Sequence, residues 1–210
     1  MIKKNLSFNS LFKWAFRFIT LTLMAYHIIM NTNNMDINYI LNGILILICS
    51  FAPDLILRLV KYKISNSADL LIQIFIFLSM FLGRMYHFYS LISCWDLFLH
   101  LISGVVLGFL SLSLLKNLAT QNVFEQLSPL LIFLFILLSI VSSAALWEFW
   151  EFAGDQLFGF DSQFNSLVDT MSDMIIGTIG GLPVAILGYF HCKNGSFKFL
   201  TGFINSFTKI

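Results

Sequence analysis

Residues 129–155 read PLLIFLFILLSIVSSAALWEFWEFAGD. From Pro129 to Trp147 no side chain is charged, and the run then breaks into Glu148, Glu151 and Asp155. A helix that crosses a hydrocarbon core of ~30 Å needs ~20 predominantly apolar residues. The run has that length. Its acids fall at i, i+3 and i+7, on one face and at one end. The stretch predicts a transmembrane helix that is polar at one end only.

Five further segments are long and apolar enough to be read the same way. The expected spans are residues 12–30, 37–60, 68–88, 95–115, 129–152 and 167–190. Composition agrees: 58% of the 210 residues are hydrophobic and 11% charged. That is about half the charged share of an ordinary soluble domain. The surplus of apolar surface calls for lipid as solvent. The predicted fold is all-α, a six-span transmembrane bundle in a single integral membrane domain, 1–210. The net charge of +1 carries no field suited to nucleic acid, so none is expected as partner.

The distribution of basic residues sets the orientation. With the N-terminus in the cytoplasm, Lys3, Lys4, Lys13, Arg17, Arg58, Lys61, Lys63, Lys116, Lys193, Lys198 and Lys209 fall inside. Of the twelve Lys and Arg, Arg84 alone falls outside. This bias predicts two cytoplasmic termini in an inner or plasma membrane. Lys3, Lys4, Lys13 and Arg17 ahead of an apolar stretch resemble a signal-peptide n-region, but Asn31-Thr32-Asn33-Asn34 ends the segment without a small-x-small cleavage site, which favours a retained span. The tail, 193–210, spaces Phe197, Leu200, Phe203, Ile204 and Phe207 mostly at helical intervals. It is expected to be an amphipathic helix on the inner membrane surface. Cys49, Cys94 and Cys192 show no paired spacing and read as small buried hydrophobes. Asp54 and Arg58 form an i,i+4 pair, and Asp69 is a helix-start acid; neither is assigned a function.

The remaining acids converge on the outer side. Asp96 and His100 are four apart at the start of span 4, and Asp169 and Asp173 are four apart at the start of span 6. With Glu148 and Glu151 they form three one-sided faces. At 1.5 Å per residue, His100, Glu148 and Asp173 lie about a turn deeper than Asp96, Glu151 and Asp169. Below them run Gly104 and Gly108 in span 4, and Gly177 and Gly181 in span 6. Glycine at steps of four lets helices approach closely, so these faces are expected to turn toward one another and away from lipid. Carboxylates crowded in a low-dielectric site cannot all ionise without a counter-charge, and the candidates are a bound cation, shared protons, His100 as imidazolium, or Arg84. A divalent metal suits the hard oxygen donors, and Asp96, His100, Glu148, Glu151, Asp169 and Asp173 are its candidate ligands. Glu151 and Glu148 are the candidate catalytic bases. For Asp96 and Asp169, simple capping by Ser93-x-x-Asp96 and Ser166-x-x-Asp169 competes with a functional role. For Glu151 and Asp155, plain solvation at the membrane surface competes.

At these residues the chain resembles the YjdF-like family of uncharacterised bacterial inner-membrane proteins, a domain-of-unknown-function group. The resemblance rests on Trp95-Asp96-x-x-x-His100-x-x-x-Gly104, on Ala145-Leu146-Trp147-Glu148-x-x-Glu151, and on Asp169-x-x-x-Asp173-Met174. It implies a multi-pass bacterial membrane protein and brings no activity with it.

Three functions stay open. The first is metal-assisted hydrolysis or transfer on a lipid-linked or envelope substrate, for which the lipid bilayer is the natural setting. The second is a cation or proton-coupled transporter, since intramembrane acids also serve relays. The third is a structural or partner-binding membrane protein whose acids only cap and hydrogen-bond.

Overall fold

The computed structural model describes residues 8–30, 37–119, 121–159, 162–164, 166–195, 198–205 and 207–209. Lys3, Lys4, Asn31, Thr32, Asn33, Asn34 and Phe197 lie outside the described residues. The fold is an all-α polytopic bundle that packs as two compact units, residues 1–93 with 208–210, and residues 94–207.

The first unit holds α1 (Phe8–Met30), α2 (Ile37–Leu59), β1 (Tyr62–Ile64), α3 (Asn66–Ile76) and α4 (Phe88–Leu91). Ser65 starts α3, its hydroxyl accepting from the Ala68 N–H at 3.3 Å. The helix then loosens into a π-helix over Phe77–Met85 and stops before His87, whose φ is +61°. The third expected span therefore ends at Met85 and not at 88. Phe16, Ile46, Ile76, Phe81 and Met85 form the core of this unit.

The second unit holds α5 (Trp95–Leu118), α6 (Gln121–Gln126), α7 (Pro129–Phe158), α8 (Leu167–Asn194) and α9 (Lys198–Ile204), followed by β2 (Phe207–Lys209). The last two residues of β2 belong to the first unit, and β2 pairs with β1. Ser128 caps α7 with Pro129 in its first turn, and Gly159 and Gly195, at φ +68° and +63°, end α7 and α8. Because α7 stops only at Gly159, it outruns the expected 129–152 by more than a turn.

Among the described residues, five helices are long and apolar enough to cross a membrane: Ile37–Leu59, Asn66–Met85, Trp95–Leu118, Pro129–Phe158 and Leu167–Asn194. Helix α1 has the length, but Lys13, Arg17 and His27 lower its apolarity and it is not among the five. The outer surfaces are apolar: Leu146, Phe149 and Leu157 are 65–75% exposed. Such a surface is at ease in lipid and not in water.

Glycine sets the closest contacts. A methyl group on Gly104 would collide with the Gly177 carbonyl oxygen, and one on Gly180 with the Leu101 carbonyl oxygen. Helices α5 and α8 therefore touch backbone to backbone, as the two glycine ridges require. Below this contact, Leu112, Leu115, Ile132, Ile136, Ile140 and Ala185 form the unit's core, closed by Leu200 and Ile204 of α9. Within 193–210, α8 runs on to Asn194, the separate helix is the short α9, Lys198–Ile204, and Leu200 and Ile204 are buried with the core residues of α5 and α7. The cysteines are also less buried than expected, with Cys94 exposed and Cys49 and Cys192 half-buried.

Candidate metal centre

The glycine contact builds the site. One turn before Gly104 stands His100, and one turn before Gly177 stands Asp173. The α-carbon of Gly177 faces the His100 carbonyl oxygen, 3.5 Å from where its Cβ would lie, and the Ala144 methyl at 4.0 Å. Ala144 sits one turn before Glu148. The backbone contact of α5 with α8, with Ala144 of α7 beside it, therefore lies immediately beneath the three polar residues.

His100, Glu148 and Asp173 are 8%, 3% and 1% exposed, while Asp96, Glu151, Asp155 and Asp169 are half-buried. His100 Nε2 stands 3.7 Å from Asp96 Oδ1 and 3.9 Å from Asp173 Oδ2. Those distances exceed a hydrogen bond. Two ligands flanking one ion at ~2.1 Å each are about 3–4 Å apart. Donor atoms of Asp96, His100 and Asp173 lie within 4.8 Å of one another, so the three together could hold a metal ion.

The oxygens around this trio lack partners. Neither oxygen of Asp173, nor Glu148 Oε1, nor Asp169 Oδ2 finds a hydrogen bond among the described residues, though all four atoms are buried. A buried carboxylate oxygen without a partner is costly, and a bound cation is one way to satisfy it. Asp169, Glu148 and Asp173 are also within electrostatic reach of His100 or Asp96. Capping accounts for little of this. Cys94, not Ser93, occupies the N-cap of α5 and contributes no side-chain bond. Ser166 does cap α8, accepting from the Asp169 N–H at 3.2 Å, but the Asp169 Oδ2 atom stays unpartnered.

The other candidates have their own partners. Gln163, from the α7–α8 connection, donates its amide to Glu148 Oε2 at 2.9 Å and to the Glu148 carbonyl at 3.2 Å. Asp155 accepts the backbone N–H groups of Ser162 and Gln163 at 2.9 and 3.0 Å, so it anchors that connection. Glu151 Oε1 accepts from the Trp147 indole at 2.9 Å. Glu148 and Glu151 thus stand outside the tight group of Asp96, His100 and Asp173. A cavity of about 560 Å³ opens beside Glu148 and Gln163, between α7 and α8.

A second polar cluster, inside the first unit, was not anticipated. Lys13 Nζ pairs with Asp54 at 2.9 Å and Asp69 at 2.7 Å, and Arg17 pairs with Asp54 at 2.8 Å. Arg17 also donates to the Ser50 hydroxyl at 2.9 Å and to the Ser50 carbonyl, and Ser50 bonds Gln73 at 2.8 Å. The guanidinium lies 3.7 Å from the Phe51 ring centre. Asp54 therefore serves α1, and not Arg58 on its own helix. A buried Arg17 and a half-buried Lys13 bring more electrostatic energy in a low dielectric than a pair along one exposed helix face. The signal was present: Lys13 and Arg17, Ser50 and Asp54, and Asp69 and Gln73 are three i,i+4 pairs on three helices.

These features define a class, a polytopic helical membrane protein with a buried carboxylate–histidine group at one end of three packed spans. The chain belongs to the family described as "Predicted membrane protein (DUF2238)", whose profile matches residues 15–194. The YjdF-like resemblance is consistent with that membership. An uncharacterized protein of Thermotoga maritima is 26% identical over 147 residues, covering 70% of this chain and 74% of that protein. No solved structure matches.

Proposed function

We propose that this protein is a metal-dependent hydrolase or transferase of the bacterial inner membrane, acting at its outer face on a lipid-linked or envelope substrate. The observation that carries the proposal is Asp173. Its carboxylate is 1% exposed, has no hydrogen-bond partner on either oxygen among the described residues, and lies beside His100 and Asp96 at ligand spacing. Asp96, His100 and Asp173 would be the ligands, with Asp169 close behind. A divalent ion there would supply Lewis acidity and activate water. Glu148 is the best-supported base, because its Oε1 is buried and unbonded while Gln163 holds its Oε2. Glu151, engaged by Trp147, is the reserve. The orientation belongs to the same proposal: α1 is a sixth span, its cations neutralised by Asp54 and Asp69, and both termini are cytoplasmic.

Elemental analysis of detergent-purified protein tests the reading. About one divalent ion per chain is expected in the wild type, and its loss in Asp173→Asn and in His100→Ala. Metal-free wild-type protein that does not take up Mg²⁺, Mn²⁺, Ca²⁺ or Zn²⁺ on titration would sink it.

Transport is the rival reading. A cavity of about 590 Å³ runs between α5 and α7, lined by Ser111, Ser139, Ser142 and Ser143. Ser111 and Ser139, however, spend their hydroxyl protons on the Leu107 and Phe135 carbonyls of their own helices. Cation flux in proteoliposomes that is lost in Asp173→Asn would favour transport over an enzyme.

A further inference from the structure

The cavity beside Glu148 is roofed on one side and open on another. Above Glu148, α7 runs on for ten residues to Phe158, about 15 Å at the helical rise. The connection that follows folds back over it. Asp155 pins the Ser162 and Gln163 backbone, and the Gln163 side chain closes onto both Glu148 Oε2 and the Glu148 carbonyl. A solute arriving from water along the helix axis meets this roof. The side between α7 and α8 is different. Its lining includes Phe149, Phe152 and Leu167, which are 66%, 56% and 76% exposed. On a spanning helix, large apolar side chains exposed to that degree face lipid. The same cavity is also lined by Glu148, Gln163 and Thr170.

We infer that this cavity receives the polar head of a membrane amphiphile, which reaches Glu148 sideways from the bilayer between α7 and α8. The inference rests on the proposed function only in taking Glu148 as part of the reaction site. A volume of about 560 Å³ lies within the range of small-molecule pockets. It takes a head and the first carbons of a chain, while the remaining tail stays in lipid. The head is one that donates hydrogen bonds and carries no negative charge. The wall offers a carboxylate, an amide and a hydroxyl, and Asp155 and Glu148 repel an anion.

The test compares three probes on the full-length protein by native mass spectrometry: a monoacylglycerol, the corresponding lysophosphatidic acid, and free glycerol. Retention of the monoacylglycerol is expected, with lysophosphatidic acid weaker on the order of tenfold and no retention of glycerol. Met174→Trp fills the cavity from its lining, and Leu167→Glu places a charge in the lipid-side doorway. Each should cut monoacylglycerol retention on the order of tenfold. Because Leu167 is 76% exposed, its substitution leaves the packing intact and guards against a folding artefact. Equal retention of lysophosphatidic acid, retention of glycerol, or undiminished binding in Leu167→Glu would overturn the inference. Metal content, measured on the same samples, is a separate readout. Its absence from the wild type strikes the metal reading alone, and its persistence in Leu167→Glu alongside lost amphiphile binding is the expected pattern.

Discussion

At the scale of single residues, the two deepest carboxylates have different surroundings and should respond differently to the same change. Asp173 has no hydrogen-bond donor on either oxygen among the described residues, whereas Glu148 has Gln163 on one. Asp173→Asn should therefore abolish bound metal, while Glu148→Gln should keep it and lose turnover, as elemental analysis paired with an activity screen would show. Chelation gives a second check. A ligand at a hundredfold above its Kd stabilises by about 2.7 kcal/mol. Thermal unfolding in detergent should thus shift downward by several degrees with chelator and recover on adding the metal. In Asp173→Asn the shift should vanish. The residue types and their spacing in these three faces were legible in the sequence. The partners of Glu148 and Asp155 were not, because Gln163 lies on a connection whose path no periodicity describes.

At the scale of helices, the site depends on how closely α5 and α8 approach. A methyl group on Gly104 would meet a backbone carbonyl of α8, which has no rotamer with which to give way. Gly104→Ala should push the helices apart, lower thermal stability by roughly 1–3 kcal/mol, and reduce metal retention although no ligand is changed. At Gly108 the same substitution meets the Val184 side chain, with Cβ at 2.8 Å, and should loosen the lower core more than the metal site. Paired measurement of melting temperature and metal content in the two variants separates these effects. In the first unit, the equivalent bond between elements is electrostatic. Asp54→Ala removes the carboxylate that both Lys13 and Arg17 share and leaves Arg17, 3% exposed, hydrogen-bonded to Ser50. Asp54 is only half-buried, so the loss should fall below the about 3–5 kcal/mol that breaking a fully buried pair costs. Limited proteolysis should then cut within α1 first. Spacing on each helix announced this cluster too, but its pairing could not be read from one helix at a time.

At the scale of the whole molecule, a natural residue tests the proposed orientation. Cys94 is exposed, immediately before α5 and the acids of the candidate metal centre. In a variant with Cys49 and Cys192 replaced by alanine, a membrane-impermeant thiol reagent should label Cys94 on intact spheroplasts. Labelling only after lysis would place the acids inside and reverse the proposed topology. The sequence by itself determined that this is a helical membrane protein, where most of its spans run, and which acids share a helical face. These follow from local periodicity and from the cost of exposing backbone and charge to lipid, both of which act along a single segment. It also set His100, Glu148 and Asp173 about a turn further along their helices than Asp96, Glu151 and Asp169, because that offset is counted along one helix at a time. Only the tertiary structure decided which donors come within ligand distance, that Gln163 roofs Glu148, that α9 folds into the core, and that Asp54 answers α1 and not Arg58. Each of those depends on the distance between segments far apart in the chain, and that distance is set by glycine contacts and buried charge pairs that only form once the helices have packed.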